Sequence, residues 1–222
     1  NNNPAEETMK DLFSLRPLLR LCQFTIVASF WYSVPTSAVD WTIADLGTLG
    51  GTQSEATGIN ARGQVVGSSD TSGDTTFHAF LHDGTTMRDL GTLGGTNSQA
   101  FGINTSGQVV GSSYLGGDIA YHAFLHDGTT MRDLGTVGGT LSTASGINAR
   151  GQVVGWSFTS GDTSGHAFLH DGTTMRDLGT LGGNDSGASG INVSGLVVGT
   201  SAIPPYMIGH LRYDSGHAFL HD

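Results

Sequence analysis

From Val39 onward the apolar residues fall in short bursts separated by glycine, aspartate and asparagine, and the same series of bursts returns every 44 residues. In one period these are TMRDLGTL at Thr86 to Leu93, AFGIN at Ala100 to Asn104, QVVGS at Gln108 to Ser112 and HAFLH at His122 to His126. Runs of this length, bounded by turn residues, predict short strands. The turns have recognisable chemistry. Asn60 to Gly63 (NARG) places glycine last, where a left-handed residue with a bulge closes a hairpin. Asp83-Gly84, Asp127-Gly128 and Asp171-Gly172 are two-residue hairpin signals between HAFLH and the next TMRDL. No segment beyond residue 38 shows capped helical periodicity, so the chain is expected to be all-β.

The period sets the architecture. DLGTLGG starts at Asp45 and Asp89, DLGTVGG at Asp133, and DLGTLGG again at Asp177. Gly58, Gly102, Gly146 and Gly190 stay in register, as do Gly63, Gly107, Gly151 and Gly195. Four strands per unit predict a β-propeller-like array of four-stranded repeats, with a β-solenoid as the rival; the hairpins favour antiparallel pairing and therefore the propeller. The expected β domain spans 39–222, with units of about 39–83, 84–127, 128–171 and 172–222, and Trp41 to Leu46 (WTIADL) stands in the first unit where TMRDL stands later. The chain stops where a further Asp-Gly turn would extend the pattern, which leaves a longer array open. Within the phrase DLGTLGG, Leu46 and Leu49 are expected to bury, Gly47 to permit close packing, and Gly50-Gly51 to carry the chain to the next strand. A glycine-rich phosphate cradle would need a following helix and a lysine, and neither is present.

Residues 1–38 have another character. From Met9 the chain carries Lys10, Arg16 and Arg20, then an apolar run from Leu21 to Val34, then Thr36 and Ala38 as small residues before Val39. This is the layout of a secretory signal peptide. The rival, an uncleaved anchor, has a run of only 14 residues where about 20 are needed to span a bilayer. The mature chain is therefore expected to be secreted, with no membrane span; a periplasmic or leader-anchored chain is the alternative. Glycine, 35 of 222 residues, is in excess without a collagen triplet, and the single cysteine, Cys22, lies in the leader. Net charge is −10 with no lysine or arginine cluster, so nucleic acid is not an expected partner.

The in-register units DLGTLGG, GIN, GQVVG and HAFL resemble the HAF-repeat family, extracellular bacterial repeat proteins named for the His-Ala-Phe triplet. The resemblance covers Asp45 to the C-terminus, with Val137 for leucine, Leu196 for glutamine and a longer fourth unit as departures. It implies export and a repeat-built β fold, and it carries over no catalytic residue.

The candidate chemistry is sparse. Each HAFLH places two histidines, such as His78 and His82, on one strand face about 13 Å apart, too far for one ion. They are expected to be hydrogen-bonded structural residues repeated with the unit. The acidic loops around Asp70 and Asp74, Asp118 and Asp162 could hold calcium, but they lack a fixed ligand order and read better as solvated hairpin tips. No other cofactor is expected. Arg88-Asp89 and its copies point to opposite faces, so cross-strand pairing or solvent is expected for each. The fourth unit breaks the rule: Gly199 to His217 is seven residues longer than Gly67 to His78 and holds Tyr206, Met207, His210, Arg212 and Tyr213. Long loops on repeat scaffolds carry binding surfaces, and Trp156 adds aromatic area in the preceding unit. A closure loop is the alternative. These residues make a non-enzymatic module that binds an extracellular protein or glycan the expected function. A secreted enzyme on polysaccharide with its site at a channel mouth, and a structural envelope component, are the alternatives.

Overall fold

The computed structural model describes residues 42–208, 211–213 and 215–222. The signal-peptide reading and Trp41 lie outside the described residues. Ala44–Asp222 forms one compact unit, and among the described residues it contains strands and no helix, hence no helix long and apolar enough to cross a membrane.

The first sheet runs in the order β1 (Gly50–Ile59), β2 (Val65–Thr71), β3 (Phe77–His82) and β4 (Met87–Asp89), every pair antiparallel. The second repeats it with β5 (Gly94–Ile103), β6 (Val109–Leu115), β7 (Tyr121–His126) and β8 (Met131–Gly135). The third uses β9 (Ser142–Ile147), β10 (Val153–Phe158), β11 (Gly165–His170) and β12 (Met175–Asp177). The fourth pairs β13 (Ser186–Ile191), β14 (Val197–Ala202) and β17 (Gly216–His221), while β15 (Tyr206–Ile208) and β16 (Leu211–Tyr213) form a separate hairpin inserted before β17. The fold is thus the expected all-β array of antiparallel sheets in series, propeller-like or solenoid-like.

Two details differ from the sequence reading. The MRD strand closes the sheet of the HAFLH before it instead of opening the next, because His82 pairs directly with Met87 across an Asp-Gly-Thr-Thr loop of four residues. Asp83 organises that loop by accepting the Thr85 and Thr86 N–H groups, both at 2.9 Å. In addition, 42–48 form no strand, so WTIADL does not stand in for TMRDL.

DLGTLGG is the link between sheets. Leu46 and Leu49, expected to bury, are only partly buried in this first copy, whereas Leu90 and Leu134 are buried and Leu93 is partly buried. Gly47, expected to allow close packing, instead adopts φ +77° with open space around it, so the left-handed backbone is what demands glycine there. Close approach does explain the last glycine of GQVVG. A Cβ on Gly67, Gly111, Gly155 or Gly199 would lie 1.8 to 2.0 Å from a carbonyl oxygen of the preceding strand, beside the register shift in that strand.

The core lies between sheets. At the first junction Val66, Ala79, Leu81 and Leu90 pack on Ala100, Val109 and Phe124. At the second, Val110, Ala123, Leu125 and Leu134 pack on Ala144, Val153 and Phe168, and the third repeats the pattern from Val154 and Ala167 to Ala188 and Val197. Polar bonds follow the same step. The Asn60 side-chain amide donates to Asn104 O (3.0 Å), Asn104 to Asn148 O (3.1 Å) and Asn148 to Asn192 O (2.9 Å). Ser98, Ser142 and Ser186 hydroxyls accept the N–H groups of Ala79, Ala123 and Ala167 in the unit before.

The series does not close on itself. Ile59, at the front of the first sheet, is 69% exposed, whereas its counterpart Ile103 packs into a core. At the rear of the last sheet Val198 is 47% and Leu220 67% exposed, where Val66 and Leu81 are 0% and 8%.

Candidate functional site

The histidines divide into two structural roles. His82, His126 and His170 are buried, and each accepts the N–H of Gly84, Gly128 or Gly172 through Nδ1 at 3.1 Å. Burial, followed by the charge of Arg88 or Arg132, holds His126 and His170 below the usual imidazole range. His78, His122 and His166 are half-buried and pair through Nδ1 with Asp89, Asp133 and Asp177, at 2.8 to 3.0 Å. In the first three copies the hydrogen-bonded role expected of the HAFLH histidines is what the geometry gives. Arg88 and Arg132 point away from the adjacent aspartates and donate to Gly128 O and Gly172 O of the following unit.

The acidic loops are not free tips. Asp74, Asp118 and Asp162 have φ near +55°, and each carboxylate turns back to accept the N–H of Thr52, Thr96 or Thr140 at 2.7 to 2.8 Å. They fasten the start of each of the first three sheets just after its Gly-Gly pair. Among the described residues no three histidine, cysteine or acidic side chains gather at metal-ligating distances.

One side of the array is built differently. Between the first and second sheets an open groove is lined by Glu55, Ser68, Asp70, Phe77 and Gln99. The next, between the second and third, is lined by Phe77, Asn97, Gln99, Ser112, Tyr114, Tyr121 and Thr143. The corresponding groove of the fourth sheet, about 500 Å³, is lined by Trp156, Asp185, Gly187, Thr200, Ser215 and Gly216. These recur at equivalent positions of the unit, yet their side chains vary: Ser68, Ser112, Trp156 and Thr200 share one position, and Glu55, Gln99, Thr143 and Gly187 another. Phe77, Tyr121, Gly165 and Gly216 share a third. The core positions behind them hardly change.

The variation is steric compensation as well as chemistry. Tyr114 and Tyr121 are cross-strand partners and meet edge to face with ring centres 5.6 Å apart. In the next unit Trp156 meets Phe158 at 4.7 Å, and a Cβ on Gly165 would lie 1.9 Å from the indole nitrogen. At 165 glycine stands where the first two units carry Phe77 and Tyr121, and the Trp156 ring already fills that volume. The rings leave a polar rim of hydroxyl, amide and carboxylate groups and no basic residue in any of the three grooves.

Of the residues singled out from sequence, Trp156 lies on β10 in the third groove. Tyr206 pairs with Tyr213 and Met207 with Arg212 across the β15–β16 hairpin. His210 lies outside the described residues. The hairpin's flanking residue Ser215 borders the Trp156 groove, and Ile203, Pro205 and Ser215 line a second recess of about 600 Å³ with Gly182 and Asn184. Thus the insertion emerges beside the tryptophan. Sequence reasoning missed Phe77, Tyr114, Tyr121, Gln99 and Asp185. Aligning the four units column by column and asking which strand positions vary would have found the first four.

Comparison with family models, with curated proteins and with solved structures gives no match to this chain.

Proposed function

We propose that the chain is an exported, non-enzymatic repeat scaffold of the HAF-repeat kind that acts as an extracellular binding module, with the row of grooves as its recognition surface. The observation that carries this reading is the contrast inside each unit: the junction side chains are kept from repeat to repeat, while the groove positions 68, 112, 156 and 200 and their neighbours diverge. A repeat array that holds its core and varies one face has the organisation of a binding surface. The inserted β15–β16 hairpin emerges at the same face, which extends it beside Trp156.

The lining favours a neutral glycan over a protein. Aromatic rings offer apolar faces to the C–H side of a sugar, and the surrounding Asn97, Gln99, Asp185 and Thr200 groups suit hydroxyls. The acidic net charge and the lack of basic lining disfavour anionic polymers. Titration with panels of neutral oligosaccharides tests this. Binding is expected to saturate and to fall at least about tenfold in Trp156→Ala, the loss of one well-packed aromatic contact. No binding across the panel, or binding that Trp156→Ala leaves unchanged, would overturn it.

A further inference from the structure

The first two grooves are not separate pockets. Phe77 and Gln99 line both of them, so one runs into the other past the phenyl ring and the carboxamide. The second is bordered in turn by Thr143, the cross-strand partner of Trp156, which carries the same surface on to the tryptophan. Singly they are small, about 260 Å³ and 240 Å³. Sites that enclose a small ligand occupy about 300–1,000 Å³, a range these two reach only together.

At the crossing Phe77 is 38% exposed, whereas Tyr114, Tyr121 and Trp156 are half-buried. Its backbone is held from both sides: it pairs with Asp70 across β2 and β3, and its N–H donates to Asn97 Oδ1 of the next sheet at 2.8 Å. Tyr121, at the same place in the second unit, meets the Tyr114 ring, and in the third unit Gly165 lies under the Trp156 ring. The polar groups beside Phe77 are equally uncommitted. Asp74, Asp118 and Asp162 turn their carboxylates onto backbone N–H groups, whereas the side chains of Glu55, Asp70 and Gln99 make no hydrogen bond to another described residue and line the first groove. Neither groove is lined by lysine or arginine.

Resting on the binding-module reading above, we infer that the first two grooves are consecutive subsites for one linear, uncharged glycan chain that passes over Phe77, not two sites for single sugars. The phenyl ring takes the C–H face of the sugar at the crossing, and the Gln99 carboxamide meets hydroxyls from either side. Sheets packed face to face lie about 10 Å apart, so a ligand in contact with both grooves is longer than one sugar ring. Each further sugar that reaches a groove does so as part of a chain already held, and affinity accumulates with length. Glu55 and Asp70, with no cation lining the groove beside them, turn away a polymer that carries carboxylate or sulfate groups.

The test is calorimetric titration of the full chain with β-1,4-, β-1,3- and α-1,4-linked glucose oligomers of two to six sugars, with a six-sugar galacturonic acid oligomer as the anionic counterpart. In at least one neutral series the association constant is expected to rise at least about tenfold from two sugars to six, and the anionic oligomer is expected not to bind. Phe77→Ala is expected to lower the affinity for the six-sugar neutral oligomer about fivefold to tenfold. Phe77→Tyr, which installs the ring that the second unit carries at this place, is expected to recover most of that loss, and circular dichroism of both variants is expected to match the unmodified chain. Equal affinity for two sugars and six, or a six-sugar affinity indifferent to Phe77→Ala, overturns the inference; the binding-module reading then stands if Trp156→Ala still weakens binding. Preferential binding of the galacturonic acid oligomer overturns the inference as well. No binding by any neutral oligomer overturns both.

Discussion

Replacing Asn104 with alanine tests whether the asparagine ladder couples one unit to the next or only shapes a turn. Asn104 is buried and makes four side-chain bonds: its amide donates to Gln108 Oε1 and Asn148 O, and its oxygen accepts from the Ser106 and Gln108 N–H groups. Asn192 supplies the built-in control, because its oxygen closes the equivalent turn but its exposed amide makes neither onward bond. At about 1 kcal/mol for each net hydrogen bond, Asn104→Ala should cost about 3–4 kcal/mol. Asn192→Ala loses the bonds its oxygen takes from Ser194, Gly195 and Leu196, but these lie in an exposed turn where water replaces them, so it should cost only about 1 kcal/mol. The difference of about 2–3 kcal/mol is assigned to the bonds that Asn192 lacks and to stranding the Gln108 and Asn148 oxygens in a buried place. For an array of this size a kcal/mol moves the midpoint by about 2–4 °C, so thermal or urea unfolding separates the two variants easily. Equal destabilisation by both would refute the ladder as a coupling element and reduce these asparagines to turn formers.

Gly111→Ala should be far more damaging than Gly63→Ala: its Cβ would sit 1.9 Å from Gln99 O and must push β5 from β6, costing at least about 3 kcal/mol, against about 1–2 kcal/mol for a left-handed alanine at φ +76° in open space. Urea midpoints of the two variants give the comparison, and equal shifts would deny the close approach. Acidification should destabilise the array through His126 and His170. Burial lowers their folded values below the ordinary 6.5, so the unfolded chain binds protons first and stability falls as pH drops through that value toward the folded ones. The unfolding midpoint should therefore decline below about pH 6.5, and the decline should flatten in His126→Gln combined with His170→Gln. An unchanged slope would remove these residues from the account.

What could be read from the sequence was whatever the period repeats locally. Strand bursts, the NARG hairpin and the all-β class depend on neighbours within a few residues, and each was legible at Val109, Gly63 or His122. The unit boundary was not, because Met87 pairs backward with His82 while DLGTLGG looks like the start of a new phrase. The Asn60-to-Asn104 bond was equally invisible: it joins residues 44 apart that sequence presents only as copies. The candidate site was half legible. Trp156 stood out by size and the insertion by length, but Tyr114 and Tyr121 look ordinary until the strands bring their rings together. Gly165 illustrates the limit best, since it reads as a turn residue and is in fact the space left for an indole.

The sameness of the three junctions means that this chain can change length in whole steps. Excision of 94–137 would join Leu93 to Gly138 inside the DLGTLGG phrase, bring Val66 and Leu81 against Ala144 and Phe168, and set Asn60 opposite Asn148. Each departing side chain would be succeeded by its copy from the next unit, apart from the groove residues that differ. Excision of half a period would leave a valine facing a turn. A gene that slips by one full unit during recombination therefore yields a shorter or longer protein with the same packing, and selection can add or remove grooves without rebuilding the core.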